Sequence, residues 1–175
     1  EGKTMCAVNL AACLAAQEQQ KTLVIEGDLR RPGIREMLGL PPLAGLTDWF
    51  RGNAMLTDII YRIDPPGFWF LPAGAPVENP IEMMQAKNMS ELSDHISSAF
   101  DWVIIDSTPV VAVADATVWA AQSDAVVLVA REGKTEKRPL RKALEIVSRH
   151  NLIGVVLNGS KATTYNRYYQ IYNPG

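Results

Sequence analysis

Short, uninterrupted apolar runs alternate along the chain with stretches of helical period. Leu23-Val24-Ile25, Phe68-Trp69-Phe70-Leu71, Trp102-Val103-Ile104-Ile105, residues 125–130 and residues 153–157 are continuous aliphatic or aromatic runs, not apolar–polar alternations. Runs of this kind predict strands covered on both faces, as in a parallel sheet between two layers of helix. Helical patterns over residues 5–14, 79–100, 114–122 and 135–150 separate them. Strand–helix–strand order with right-handed crossovers predicts a doubly wound α/β domain, its mainly parallel sheet carrying helices on both faces. Two segments depart from the pattern. Pro41, Pro42, Pro65, Pro66, Pro72 and Pro76 make residues 40–80 turn-rich, with a short helix over 45–51. Residues 161–175 have no core-forming period and carry Tyr165, Tyr168, Tyr169 and Tyr172. The expected organisation is therefore one domain over 1–160 and a mobile tyrosine-bearing tail over 161–175.

Composition narrows the function classes without choosing among them. The 175 residues suit one domain. With 47% hydrophobic and 21% charged residues the chain is not globally disordered. A net charge of −2 gives no electrostatic reason to bind nucleic acid. No apolar stretch approaches the roughly 20 residues of a membrane span. Cys6 and Cys13 lie in an apolar helical pattern without metal-ligand spacing, and are expected to be small core residues in a reducing cytosol.

The chemistry begins at Glu1-Gly2-Lys3-Thr4, which opens an apolar helix. Gly-Lys-Thr at a helix start is the second half of a phosphate-binding loop. Amides at a helix N-terminus point at an anion, and the helix dipole favours negative charge there. Gly2 permits close approach of the backbone, Lys3 supplies charge for the β- and γ-phosphates, and the Thr4 hydroxyl is a Mg²⁺ ligand. Such a loop normally follows a central strand. A strand upstream of Glu1 is therefore expected, and without it the neighbouring strands should expose apolar slots. Two buried runs end in acids: Leu23-Val24-Ile25-Glu26-Gly27-Asp28 and Val103-Ile104-Ile105-Asp106. In a parallel α/β sheet the carboxyl ends of the strands face the ligand crevice. Carboxylates there are costly unless they meet a cation, which Mg²⁺ on a nucleotide provides.

Together these segments resemble the bacterial tyrosine kinases, P-loop autokinases of capsule and exopolysaccharide loci. Glu1-Gly2-Lys3-Thr4 is similar to the end of the family's deviant Walker A loop, and Leu23 through Pro32 to its Walker A′ segment. Ile104-Ile105-Asp106-Ser107-Thr108-Pro109 resembles its Walker B strand end. Asn79-Pro80-Ile81-Glu82 and Val156-Leu157-Asn158-Gly159 match further landmarks. The C-terminal tyrosines resemble the autophosphorylated cluster, although they are sparser than in many members. Glu26 stands where the family usually has aspartate, and a carboxylate moved by about 1 Å can lose on the order of 100-fold in rate.

The resemblance implies ATP and Mg²⁺ as cofactors. Glu1, Gly2, Lys3, Thr4, Met5, Arg30 and Asn158 are then expected around the nucleotide, with Asn158 facing adenine. Thr4, Asp28 and Asp106 would hold the metal, and Glu26 would act through its water shell. Asp28 is the expected base for a tyrosine hydroxyl, and Lys3, Asp28, Glu26 and Asp106 form the catalytic set. Arg30 and Arg31 would bind phosphate or acidic groups of a partner. Tyr165, Tyr168, Tyr169 and Tyr172 are the expected acceptors, modified between subunits of a homo-oligomer. The implied setting is the inner face of the plasma membrane, beside a membrane-embedded polysaccharide co-polymerase, separate or fused upstream, that activates the kinase. Two rivals remain at this level, a partitioning-type P-loop ATPase switch and a weakly active nucleotide-binding regulatory module.

Overall fold

A computed structural model describes residues 1–17 and 20–160. The four tail tyrosines lie outside the described residues. Helix α1 (Lys3–Ala15) precedes strand β1 (Thr22–Glu26), followed by two short helices, α2 (Ile34–Met37) and α3 (Leu46–Phe50). Strands β2 (Tyr61–Ile63) and β3 (Phe68–Leu71) come next, then helices α4 (Pro80–Met83) and α5 (Ala86–Ser97). The remaining order is β4 (Trp102–Asp106), α6 (Asp115–Ala121), β5 (Val126–Arg131), α7 (Lys137–Val147) and β6 (Leu152–Asn158).

Strands β3, β1 and β4 pair in parallel, and β2 adds an antiparallel edge beside β3. Side chains alternate across a strand, so β1 feeds two cores. Leu23, Ile25 and Leu71 pack with Leu46, Met89, Leu92 and Trp119 on one face. Val24, Phe68 and Phe70 pack with Ala11 and Ile34 on the other. This double burial is why β1 reads as an unbroken apolar run. The chain therefore adopts the expected α/β architecture.

The structure departs from the sequence expectation in three places. The single helical pattern over 79–100 breaks between α4 and α5, where the Asn88 amide donates 2.8 Å to the Met83 carbonyl. Within the turn-rich stretch, β2 forms a hairpin with β3, and Arg62 lies over the Trp69 ring at 5.4 Å. Cys13 is exposed and Cys6 half-buried, so neither is a core residue. Strands β5 and β6 pair only with each other among the described residues, so the sheet breaks between β4 and β5. The exposed Val127, Ile153, Val155 and Leu157, with Trp102 on β4, are the apolar slots expected beside that break.

The register decides what meets at the strand ends. β1 and β4 run side by side with Glu26 opposite Asp106. The Gly27 N–H then donates 2.7 Å to the Asp106 carbonyl, prolonging the pairing past the strand. A Cβ on Gly27 would sit 2.8 Å from that carbonyl oxygen and 2.8 Å from the Trp119 indole nitrogen. Gly27→Ala should therefore destabilise the domain by about 1–3 kcal/mol, the usual cost of overpacking. Urea unfolding should show a lower midpoint with an unchanged slope.

Candidate functional site

The carboxyl ends of β1 and β4 and the first turn of α1 meet at one place. Gly2 stands immediately before α1 with φ of 91°, in the left-handed region that glycine tolerates. Its lack of a side chain matters twice, because a Cβ there would overlap the Asn158 amide. Asn158, at the end of β6, donates 2.9 Å to the Glu1 carbonyl. The phosphate-loop end is thus tied to the far strand pair as well as to α1. Lys3 lies next to Gly2, and its ammonium reaches Glu1 at 2.9 Å. Both partners of that pair are partly exposed, so it is worth about 1 kcal/mol or less and yields readily to a better anion. Met5 is exposed on the first turns of α1.

Asp106 is the electrostatic centre. Burial pushes its pKa above the ordinary 3.8. The nearby Thr4 hydroxyl and the Lys3 charge favour ionisation, whereas Asp28 and Glu26 oppose it. The same balance shows that Thr4, Lys3 and Asp28 all lie within electrostatic reach of Asp106. Asp28 itself closes a tight turn: its Oδ1 accepts the amides of Arg30 at 3.2 Å and Arg31 at 2.9 Å. Its other oxygen takes neither of these bonds.

Two expected site residues are placed differently. Glu26 is buried at 1% exposure, and its oxygens accept the amides of Ile34 at 2.6 Å and Ala73 at 3.0 Å. Ala73 follows β3, on the opposite edge of β1 from Asp106. Glu26 therefore ties β1, α2 and the end of β3 together, with one amide on each of its oxygens. The extra methylene relative to aspartate is what spans them. Arg30 is likewise committed. Its Nε donates 2.8 Å to Asp115, a second nitrogen donates 3.4 Å to the other oxygen, and a third donates to the Glu78 carbonyl. That hydrogen bond to Asp115 raises the Arg30 pKa above its usual value. Arg30 thus belongs to the scaffold of the Asp28 turn, while Arg31 stays exposed.

Sequence reasoning passed over Asp115 and Trp119, both buried on α6. The only hint was an aspartate between two alanines at the start of a helix, just after the Walker B strand. Beside the loop, an open cleft of about 460 Å³ is lined by Glu1, Arg131, Lys134, Thr135, Glu136 and Pro139.

The donor set suits Mg²⁺ more than a softer metal: two carboxylates and a hydroxyl, all hard oxygens. Among the described residues no group of three His, Cys, Asp or Glu side chains gathers closely enough to hold an ion alone.

Comparison with known proteins decides the family. The chain is 34% identical over 170 residues to the tyrosine-protein kinase YwqD of Bacillus subtilis, covering 96% of this chain and 71% of the relative. The chain belongs to the bacterial tyrosine-protein kinases. Similarity to the tyrosine-protein kinase CpsD of Streptococcus agalactiae is 33% over 175 residues, covering 75% of that protein. Against the putative tyrosine-protein kinase EpsB of Ralstonia solanacearum, 32% identical, the chain spans 22% of the relative's length. Among solved structures, the VpsO kinase domain superposes with a TM-score of 0.85 at 32% identity, covering 92% of this chain and 80% of that one. The kinase domain of the Escherichia coli tyrosine kinase ETK gives 0.84 at 31%, covering 90% and 62%. The septum site-determining protein MinD of Pyrococcus horikoshii, at 21% identity and a TM-score of 0.70, shares the P-loop fold. No protein-family model matches the chain.

The raised Asp106 pKa has a consequence for the nucleotide-free kinase. A carboxyl whose folded pKa exceeds its unfolded value stabilises the fold fully below the unfolded pKa, and that contribution is lost as pH rises through the folded value. At pH 7 the ionised group is therefore a net cost, one that Asn removes. Asp106→Asn should raise Tm at pH 7 by about 2–4 °C, the shift that corresponds to roughly 1 kcal/mol. Calorimetry should show the difference shrinking as pH falls towards 4.

Proposed function

We propose that this kinase transfers the γ-phosphoryl group of ATP to tyrosine, with Tyr165, Tyr168, Tyr169 and Tyr172 of a neighbouring copy as acceptors. The observation that carries this reading is the meeting of the α1 N-terminus, Lys3 and Thr4 with Asp28 and the buried Asp106. Phosphoryl transfer demands positioning and charge neutralisation more than covalent chemistry. Lys3 would leave Glu1 for the phosphates, and the first amides of α1 would hold the same oxygens. Thr4, Asp28 and Asp106 would hold Mg²⁺, directly or through water. When bound, that ion would orient the phosphates and offset their charge. The acceptor phenol has a pKa near 10, so roughly one in a thousand is ionised at pH 7. Asp28 accepts the proton as the new O–P bond forms and the bond to ADP breaks. Its Oδ1 is held by two amides, which fixes the direction of the remaining oxygen. Asn158 contributes by anchoring the loop end, next to the side from which adenine would enter.

Modification between neighbouring copies, not within one chain, is part of this proposal. The family resemblance extends the reading to control of capsule or exopolysaccharide synthesis and export, under a membrane-embedded co-polymerase at the inner face of the plasma membrane. No described helix is long and apolar enough to cross a membrane.

The test is incubation with Mg²⁺ and ATP followed by phosphosite mapping. Lys3→Met should lower phosphotyrosine by at least about 100-fold, the usual loss on removing one preorganised charge donor, with the circular dichroism of the wild type retained. A Lys3→Met chain mixed with an active chain truncated after 160 should regain phosphotyrosine on its own tail. Release of free phosphate with no modified tyrosine would contradict the kinase reading.

A further inference from the structure

The β1–α2 segment carrying Asp28 is gripped from α6 at two points. Buried Asp115 takes the Arg30 guanidinium through both carboxylate oxygens, at 2.8 and 3.4 Å. One turn further along, the buried Trp119 indole donates 3.0 Å to the Gly27 carbonyl. Gly27 is thereby held from both sides, since its N–H is already bonded to the Asp106 carbonyl. Asp28 lies between the two grips, with Leu29 beside it. Only residues 107–114 separate Asp106 from α6, so one short stretch of chain carries an acid of the site at one end and both braces at the other.

We propose that Asp115 and Trp119 are positioning residues that set the Asp28 carboxylate at its working place relative to Asp106. The proposal rests on the reading of this site as a Mg²⁺–nucleotide site. Its physical basis is the placement of the braces. Neither contact is needed to bring Asp28 to the end of β1, which the strand register already does. What they fix is the orientation of the turn whose amides hold Asp28 Oδ1, because one of those amides belongs to Arg30 itself. Arg30 is clamped a third time by the Glu78 carbonyl. A carboxylate buried as deeply as Asp115 is costly without its partner, so the pair is made or the segment moves. Loss of either brace lets Asp28 swing while α1, Gly2 and Lys3 keep their places. Phosphate binding and metal binding should therefore separate. Partners behind metal ligands typically contribute about 10–100-fold to metal affinity.

ADP binding to the full chain, measured by calorimetry in EDTA and in Mg²⁺, tests this without relying on turnover. Wild-type protein should bind ADP more tightly in Mg²⁺. Asp115→Asn, which keeps shape and removes one charge, and Trp119→Phe, which keeps an aromatic ring and removes the indole donor, should each cut that Mg²⁺-dependent gain by about tenfold. Their ADP affinity in EDTA should stay within about twofold of wild type, as expected for an intact phosphate loop. If both variants keep the full Mg²⁺ gain, or if affinity in EDTA falls in step with it, the braces are structural only and the proposal is overturned. Should Asp115→Asn lose its circular dichroism signal, Trp119→Phe decides alone. A wild-type protein that binds ADP with no gain from Mg²⁺ would instead remove the reading of the site, and the proposal with it.

Discussion

A carboxylate buried at the end of a strand, with two more acids nearby, governs this molecule. Asp106 is desolvated, which disfavours its charge, and Asp28 and Glu26 disfavour it further. Only Lys3 and the Thr4 hydroxyl act in the opposite sense. The site is electrostatically incomplete without a cation, and that incompleteness is what a metal-bound triphosphate would relieve. A fold optimised for stability alone would place an amide or an apolar group at this position. The geometry around Asp106 therefore reads as stability given up for binding.

The sheet brings this about through ordinary means. Parallel pairing of β1 with β4 puts their acidic ends side by side, and α1, packed against the same two strands, delivers its N-terminus there. Three carboxylates cannot all point into so small a space, and each takes a different direction. Asp106 faces Thr4, Asp28 closes its own turn, and Glu26 is drawn towards the Ile34 and Ala73 amides. Backbone donors from Ile34 and Ala73 thus hold the third carboxylate in a direction of its own.

The architecture was legible because its signals are local. Unbroken runs such as Leu23-Val24-Ile25 announce burial on both faces, and Gly-Lys-Thr before an apolar helix announces an anion site. The convergence of Lys3, Thr4, Asp28 and Asp106 followed from one long-range rule, that parallel strands end on the same side. What the sequence hid depends on partners distant in the chain. Nothing near Glu26 indicates that amides 8 and 47 residues away claim its oxygens. Arg30 looks like a phosphate ligand until Asp115, 85 residues later, is seen to hold it. Strand β2 was obscured by the prolines around it, because propensity is weak where hairpin pairing decides. Exposure of β5 and β6 is not written in their own composition, which is that of buried strands; it followed only from the expected strand before the phosphate loop.

The most direct test of the central claim is a crystal structure of the protein with Mg²⁺ and a non-hydrolysable ATP analogue. One ion is expected within ligand reach of the Thr4 hydroxyl, directly or through water bonded to Asp28 and Asp106, with Lys3 turned from Glu1 onto the phosphates. Triphosphate lodged instead in the cleft between Arg131 and Lys134, with Lys3 still paired to Glu1 and no ion near Asp106, would contradict that claim.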